Sequence, residues 1–193
     1  MDFIIGLLVA VKSLVFMGGY IAPDKAQVRI ASMQVVVTRQ DVMVSCEVAN
    51  AFPADVKKLA QSGTPILLYV FAEARQVQKD SLVESAVAEK RLEYDLVAKQ
   101  YRVTDGAGGD TLTFASPDSA LAACAGFARI AVLPKDKIKP DKSYYFIMWA
   151  VLGKAKVEAL ANKEIDLMYF WNYQRPSLRT DPFKGGQFLA FPK

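Results

Sequence analysis

The chain has 193 residues, 52% of them hydrophobic, which is enough to bury one substantial core, so one domain plus an appendage is the default organisation. It contains no histidine, and this excludes Ser-His-Asp and Cys-His nucleophile arrangements, histidine general bases and histidine-containing metal sites. The formal charge of +4 is spread along the chain, which points weakly to an anionic neighbour such as a membrane surface and argues against nucleic acid, whose binding needs a basic stripe.

The first predicted element is an apolar segment at residues 3–22, interrupted by one lysine. As a helix it would match the roughly 30 Å hydrocarbon core of a bilayer. We predict that residues 1–22 are a signal peptide or a membrane anchor and that residues 23–193 form a β-sandwich domain outside the cytoplasm. Cleavage, retention, and an apolar helix packed in the protein or an assembly all stay open, because Tyr20 and Pro23 make a poor cleavage site.

A hairpin and a short helix are predicted next. Residues 28–37 and 42–48 form two extended apolar runs separated by the polar residues 38–41, which predicts two strands with one buried face. The following stretch reads as a helix that begins near Pro53 and ends before Gly63.

Two segments, residues 66–74 and 143–152, are apolar on both faces. Such segments are typical of strands buried between two layers, and Trp149 in the second is interpreted as a core residue. The polar residues 76–89 are ambiguous between a loop and a weak helix.

Residues 91–105, RLEYDLVAKQYRVTD, alternate apolar and polar side chains and then change phase, so that Leu92 and Val103 would fall on opposite faces of one strand. A β-bulge near residues 97–98 would produce this change, and a helix is the alternative. Residues 105–110, DGAGGD, predict a hairpin turn, because the ending and the helix of a phosphate-binding loop are missing.

The clearest helix starts at Ser116, an N-cap residue followed by Pro117 and Asp118 in the first turn. A short strand at residues 130–133 follows. The charged residues 135–142 favour a solvated turn over a basic binding patch.

The carboxy-terminal part contains a polar connection and a last strand. Residues 154–164 read as a helix or a loop. Residues 165–171 alternate, which predicts a strand with aromatic side chains on both sides.

These segments add up to seven to eight strands and two or three short helices, without a strand-helix-strand rhythm. We therefore predict a mainly β fold, an antiparallel immunoglobulin-like β-sandwich preceded by an apolar amino-terminal helix.

Cys46 and Cys124 lie in unlike, apolar contexts and are interpreted as small buried hydrophobes, with a disulfide or a reactive thiol as the less favoured alternatives. Because no Cys-x-x-Cys pair is present, we expect no metal and no cofactor.

Catalysis would have to use carboxylates, Lys, Tyr or Cys. Glu93 and Asp95 would share a strand face about 6–7 Å apart, close to a spacing used by paired carboxylates. A solvated outer face explains them better, because both alternate with apolar neighbours. The other candidates are Glu73 with Arg75 and the pair Tyr144 and Tyr145.

The aromatic and basic stretch YFWNYQRP, residues 169–176, is the main candidate for contact with a partner, because aromatic residues and Arg are enriched at interfaces. The alternative is that its first three residues fill a core strand. The predicted partner-binding residues are Tyr173, Arg175, Arg179 and Phe183.

Taken in order, the segments RLEYDLVAKQYRV, DSALAAC, SYYFIMWAVL and FWNYQRPSLRTDPF resemble those of a bacterial family known as domain of unknown function 4390 (DUF4390), over most of residues 27–183. Members of that family look like exported proteins with a signal segment, a paired-strand start and a Trp-containing carboxy-terminal strand. The resemblance implies an exported bacterial sandwich without an established activity, and it carries no functional residues over.

We expect a non-enzymatic periplasmic binding or assembly module that serves as a subunit or accessory of a cell-envelope complex. Its expected partners are envelope proteins and, if residues 3–22 are retained as an anchor, the inner membrane; nucleic acid is not expected. The alternative is a carboxylate-based enzyme or a small-ligand carrier in the periplasm.

Overall fold

A computed structural model of the chain describes residues 27–157 and 163–189. The predicted signal segment, residues 1–22, lies outside the described residues. Within them the fold is mainly β, as predicted, and every strand pairing is antiparallel.

Twelve strands and three α-helices lie in the described residues. The first half contains β1 (Arg29–Val37), β2 (Asp41–Ala49), α1 (Ala54–Gln61), β3 (Ile66–Gln76), β4 (Ser81–Asp95), β5 (Gln100–Asp105) and β6 (Thr111–Phe114). The second half contains α2 (Pro117–Ala125), β7 (Gly126–Pro134), β8 (Ser143–Leu152), β9 (Lys154–Val157), β10 (Lys163–Asp166), β11 (Ser177–Arg179), β12 (Phe183–Lys184) and α3 (Gly185–Leu189). Seven of the strands have six or more residues, and the predicted number of seven to eight missed the short ones.

The strands form two larger sheets and one small one. The first has three strands in the order β1-β2-β7, and the second has seven, in the order β11-β8-β3-β4-β5-β6 with β12 also paired to β8. The remaining pair, β9 and β10, makes a two-stranded sheet. Strand β7 crosses near β3 and β4, so one face of each larger sheet contributes to a common core.

Both longer predicted helices are present. Pro53 precedes α1, whose Val56, Leu59 and Ala60 are buried. Ser116 caps α2, and its side chain accepts a hydrogen bond from the backbone N–H of Ser119. Helix α2 thus has the capping bond that predicted it, and α1 begins directly after the predicted proline without a side-chain cap.

The predicted bulge at residues 97–98 is wrong. Strand β4 ends at Asp95, four residues turn, and β5 returns beside it, so that Leu92 lies opposite Val103. The Asp95 carboxylate accepts the backbone N–H groups of Val97 and Ala98 at 2.9 Å and holds the turn. The change of phase therefore marks a hairpin rather than a bend in one strand.

Three further segments differ from the sequence predictions. Residues 81–89, part of the stretch expected as a loop or weak helix, belong to the long strand β4, and residues 154–157 form β9. The predicted last strand at residues 165–171 is mostly a 3-10 helix, Leu167–Trp171. The turns of this helix, and not strand alternation, determine which of its apolar side chains face the core. Trp171 is therefore 3% exposed while Tyr169 is 45% exposed.

Candidate functional site

The side of the seven-stranded sheet that faces away from the core carries a continuous apolar strip. On β3, Ile66, Leu68 and Val70 point into the core and are fully buried, while the alternate residues are half-buried. We call this outer side the outer aromatic face, defined by Tyr69, Phe71, Val87, Ile147 and Trp149.

Phe71 lies at the centre of the outer aromatic face. It is opposite Val87 on one neighbouring strand and opposite Trp149 on the other. Its ring stacks on the Trp149 indole with 5.3 Å between centroids and an angle of 3°. Val87 is 59% exposed. The interpretation of β3 and β8 as strands buried on both faces, with Trp149 in the core, is therefore wrong, because only one face is fully buried.

A polar cluster closes the end of the outer aromatic face near the β3–β4 turn. Arg75 Nε donates to Glu73 Oε2 at 2.7 Å, and Arg75 Nη1 donates to the Asp80 carbonyl oxygen at 3.1 Å. The Tyr145 hydroxyl donates to Asp80 Oδ1. We call Glu73, Arg75, Asp80, Tyr145 and Arg179 the Tyr145 cluster.

Arg179 covers the Tyr145 ring, with its guanidinium carbon 3.6 Å from the ring centroid. This cation–π contact leaves the edge of the guanidinium group exposed, and among the described residues Arg179 forms no ion pair within 4.0 Å. Arg179 can therefore still present its donors to a carboxylate of a partner.

The hydrogen bonds of the Tyr145 cluster shift the pKa values of its members in consistent directions. The bond from Tyr145 lowers the pKa of the Asp80 carboxyl, and the same bond raises the pKa of the Tyr145 hydroxyl. The bond to Glu73 raises the pKa of Arg75. The Asp80 carboxyl is therefore ionised and the Tyr145 hydroxyl is neutral at neutral pH, so that the hydrogen bond between them keeps its donor and its acceptor.

The structure places the predicted partner-binding residues on two sides of the sheet. Tyr173 and Arg175 are exposed in the loop that leads into β11, where Ser177 pairs with Trp149. Arg179 lies on the outer side over Tyr145. Phe183 lies on the buried side instead, where it packs against Phe146 and Phe188. Arg179 thus borders the outer aromatic face, Tyr173 and Arg175 are exposed in the loop before β11, and Phe183 lies on the other side of the sheet.

Sequence reasoning missed Phe71, Val87 and Trp149 as surface residues. An apolar run looks the same whether one or both of its faces are covered. One sequence signal could have indicated that this face is accessible to solvent. The charged residues Glu73 and Arg75 follow Phe71 on the same face of β3.

Glu93 and Asp95, the carboxylates considered for catalysis, form ion pairs with two different arginines. Arg91 Nη2 lies 2.6 Å from Glu93 Oε1, and Arg102 Nη2 lies 3.0 Å from Asp95 Oδ2. The backbone N–H groups of Ala98 and Val97 are the main cause that lowers the pKa of Asp95. A general acid needs a raised pKa instead.

Stability should depend on pH through Asp95. Because its pKa is lower in the folded chain than in the unfolded chain, where it is about 3.9, its ionised form stabilises the fold above that pH. This stabilisation is lost as the pH falls through the folded pKa. We expect the urea midpoint of unfolding to fall between about pH 5 and about pH 2, and to fall less steeply in Asp95→Asn.

Arg102→Gln is the matched control for Asp95→Asn. It removes the ion pair and keeps both backbone hydrogen bonds, which are the larger cause of the lowered pKa. We expect Arg102→Gln to flatten the pH dependence less than Asp95→Asn does. An equal effect of the two variants would show that the ion pair dominates.

The cysteines confirm the interpretation as buried hydrophobes. Cys46 and Cys124 are both buried and not bonded to each other. Burial raises the pKa of Cys46 to about 11 and that of Cys124 to about 12. Both thiols are therefore protonated at neutral pH and poorly reactive.

The described part of the chain was also searched for a metal site, a small-molecule pocket and a membrane-spanning helix. No three Cys, Asp or Glu side chains there converge as metal ligands would. A cleft between α1, α2 and β5, lined by residues that include Lys57, Tyr101 and Leu121, has a volume of about 130 Å³. Small-molecule sites typically occupy about 300–1,000 Å³. Among residues 27–157 and 163–189, no helix is long and apolar enough to cross a membrane.

Comparison with known protein families identifies the family of this chain. The model of the family described as domain of unknown function (DUF4390) matches residues 25–171, more than half of the chain. The matched region contains the outer aromatic face and most of the Tyr145 cluster, and it ends before Tyr173 and Arg179. No curated protein and no solved structure matches the sequence significantly.

Proposed function

The chain belongs to the DUF4390 family, and we propose that it is a non-enzymatic binding or assembly module of the bacterial cell envelope. In this proposal residues 1–22 direct export to the periplasm, either as a cleaved signal peptide or as an apolar helix anchored in the inner membrane. Residues 23–193 form an immunoglobulin-like β-sandwich, which the proximity of β7 to β3 and β4 supports.

The observation that carries the proposal is the outer aromatic face. Contiguous exposed apolar surface on a soluble domain marks an interaction site when it is rimmed by polar groups. Here a stacked Phe and Trp lie beside the exposed Val87, and the Tyr145 cluster forms the rim at one end. Aromatic residues and Arg are the side chains that dominate the binding energy of protein interfaces.

The partner we propose is a protein whose apolar side chains cover the stacked rings and whose carboxylates reach Arg179 and Arg175. A flat sheet face suits a protein surface better than a small molecule, since small-molecule sites are concave. The lowered pKa of Asp95 supports the non-enzymatic part of the proposal, because Asp95, one of the two carboxylates considered for catalysis, is ionised at neutral pH and cannot act as a general acid.

Val87→Glu tests the proposal, because Val87 lies beside Phe71 on the outer aromatic face and is already 59% exposed. Tagged protein is recovered from detergent-solubilised envelopes of the native host, and copurified proteins are quantified by mass spectrometry. We expect Val87→Glu to lower recovery of the partner at least about tenfold, because a carboxylate would be buried unpaired in the interface. The free energy of unfolding should change by only about 0.5 kcal/mol.

Leu112→Glu is the matched control, because Leu112 is similarly exposed on β6, outside the outer aromatic face. It should recover the partner as the unaltered chain does. The pair Tyr173→Ala with Arg175→Ala should weaken recovery without changing thermal unfolding if the loop before β11 joins the interface. The proposal fails if Val87→Glu and Leu112→Glu recover the same proteins equally, or if nothing is enriched over an untagged control.

A further inference from the structure

Strand β1 is the outermost strand of the three-stranded sheet. It pairs with β2 on one side. On its other side the described residues form no backbone hydrogen bond to it, although Cα atoms of β11 come within 8 Å of β1. Near its start, Gln27 Nε2 donates to Gln174 Oε1 at 2.7 Å, and the register shifts between Ile30 and Ser32. The open edge is therefore the stretch after this irregularity, residues 32–38.

The open edge lacks the usual protection of an exposed strand. Edge strands commonly carry charged residues or proline that block pairing with another chain. Residues 32–38 have the sequence SMQVVVT, without charge or proline. Val36 on the outer side of this strand is 50% exposed.

The core layer is incomplete at this edge. Met33, Val35 and Val37 face inwards, but each is only half-buried. Their neighbours on β2 at the same level, Cys46, Val44 and Val42, are buried. A further strand beside β1 would cover these three side chains as β1 covers those of β2.

We propose that two copies of this chain pair through β1, antiparallel and about a two-fold axis at Val35, into one continuous six-stranded sheet. In this register Met33 lies opposite Val37 of the second copy, and Gln34 lies opposite Val36 of the second copy. Side chains that face the core in one copy then meet side chains that face the core in the other.

The sequence of the edge favours a second copy and selects this register. A two-fold interface brings the same surface patch of both copies together, so the patch must be self-complementary. Residues 32–38 are uncharged, and centring the pair on Val35 places this whole stretch opposite itself. A slip of two residues either way would leave two residues of this stretch without a partner in each copy, and so would lose cross-strand pairs.

This inference goes beyond the proposed function, because it uses the other sheet and leaves the outer aromatic face free. One pair of short strands buries little surface, so the dimer should be weak. We expect a dissociation constant on the order of 1–100 µM.

The pair Gln34→Lys with Val36→Lys tests the inference in the full chain, purified in a nonionic detergent and followed by sedimentation velocity. Both residues are exposed, and in the dimer each new charge would face another from the second copy. We expect at least about tenfold weaker dimerisation. Thr111→Lys with Thr113→Lys, on the edge strand β6 of the other sheet, should dimerise as the unaltered chain does.

Charge reversal and cross-linking complete the test. Gln34→Glu with Val36→Glu should also weaken self-association, and mixing the Lys and Glu variants should restore a dimer. Oxidation should cross-link Val35→Cys and not Val37→Cys, because only residue 35 lies opposite itself. The inference is overturned if the unaltered chain is monomeric at about 200 µM, twice the weakest affinity expected, if both charge variants dimerise normally, or if Val37→Cys cross-links instead.

Discussion

Trp171→Ala should lower the free energy of unfolding by about 3–5 kcal/mol, the usual cost of removing a large buried aromatic side chain. Trp171 is 3% exposed, and its indole Nε1 donates to the carbonyl oxygen of Ala51 at 3.0 Å. The variant leaves a cavity and removes the donor to that carbonyl. In thermal unfolding the midpoint should fall by an amount on the order of 10 °C.

Tyr169→Ala is the control for this prediction, because Tyr169 lies in the same 3-10 helix and is 45% exposed. Its free energy of unfolding should change by about 1 kcal/mol or less. Trp171→Phe separates the two causes, since it retains most of the apolar volume and loses the hydrogen bond to Ala51. Similar losses for Trp171→Ala and Tyr169→Ala would mean that this helix is not docked as described.

The burial of Trp171 and the exposure of Tyr169 also show why the sequence prediction for residues 165–171 was wrong. Alternation over residues 165–171 predicted a strand, with Tyr169 and Trp171 on the same face. In the 3-10 helix their burial differs, because side chains repeat about every three residues. The Asp166 side chain caps this helix by accepting the backbone N–H of Met168. The prediction rested on the alternation of apolar side chains alone and did not consider Asp166 as a helix cap.

Local chemistry predicted several elements correctly. The Ser116-Pro117 start of α2, the Pro53 start of α1 and the glycine-rich turn after β5 all follow from capping and turn preferences of a few residues. These signals act over short distances, so tertiary contacts do not override them.

The site was harder to predict because it depends on pairing between distant strands. Phe71 and Trp149 are far apart in sequence, and only the register of β3 with β8 brings their rings together. The apolar pattern could not show which face of β3 lacks a second layer. Arg179 was predicted from composition alone, and its contact with Tyr145 came from the pairing of β11 with β8.

A zone of small side chains explains how the two larger sheets approach each other. Facing the core at neighbouring positions of β3, β4 and β8 are Ala72, Ala74, Ala86, Ala88 and Ala150. Cα atoms of β7 come within 8 Å of Cα atoms of β3 and β4. Packed sheets usually lie about 10 Å apart. The small side chains therefore allow β7 to pass closer than larger residues would.

Ala72→Leu should consequently destabilise the fold by about 1–3 kcal/mol, the usual cost of overpacking a well-filled core. Ala72 is fully buried and lies opposite Ala86 on one side and Met148 on the other. The larger side chain could be accommodated only if β7 moved away from β3. We expect a lower urea midpoint with an unchanged slope of the unfolding free energy against urea, since the surface exposed on unfolding stays similar.

Val87→Leu is the control for Ala72→Leu, because it enlarges a side chain on the opposite, uncrowded side of the same sheet. It adds a methylene group to β4 on the outer aromatic face, where the side chain is 59% exposed, and should change the free energy of unfolding by about 0.5 kcal/mol or less. A large cost for Ala72→Leu with a small one for Val87→Leu would locate the close packing on the inner face alone. If Ala72→Leu were as stable as the unaltered chain, the space between β3 and β7 would have to be larger than described, and the reason given for the alanines would be wrong.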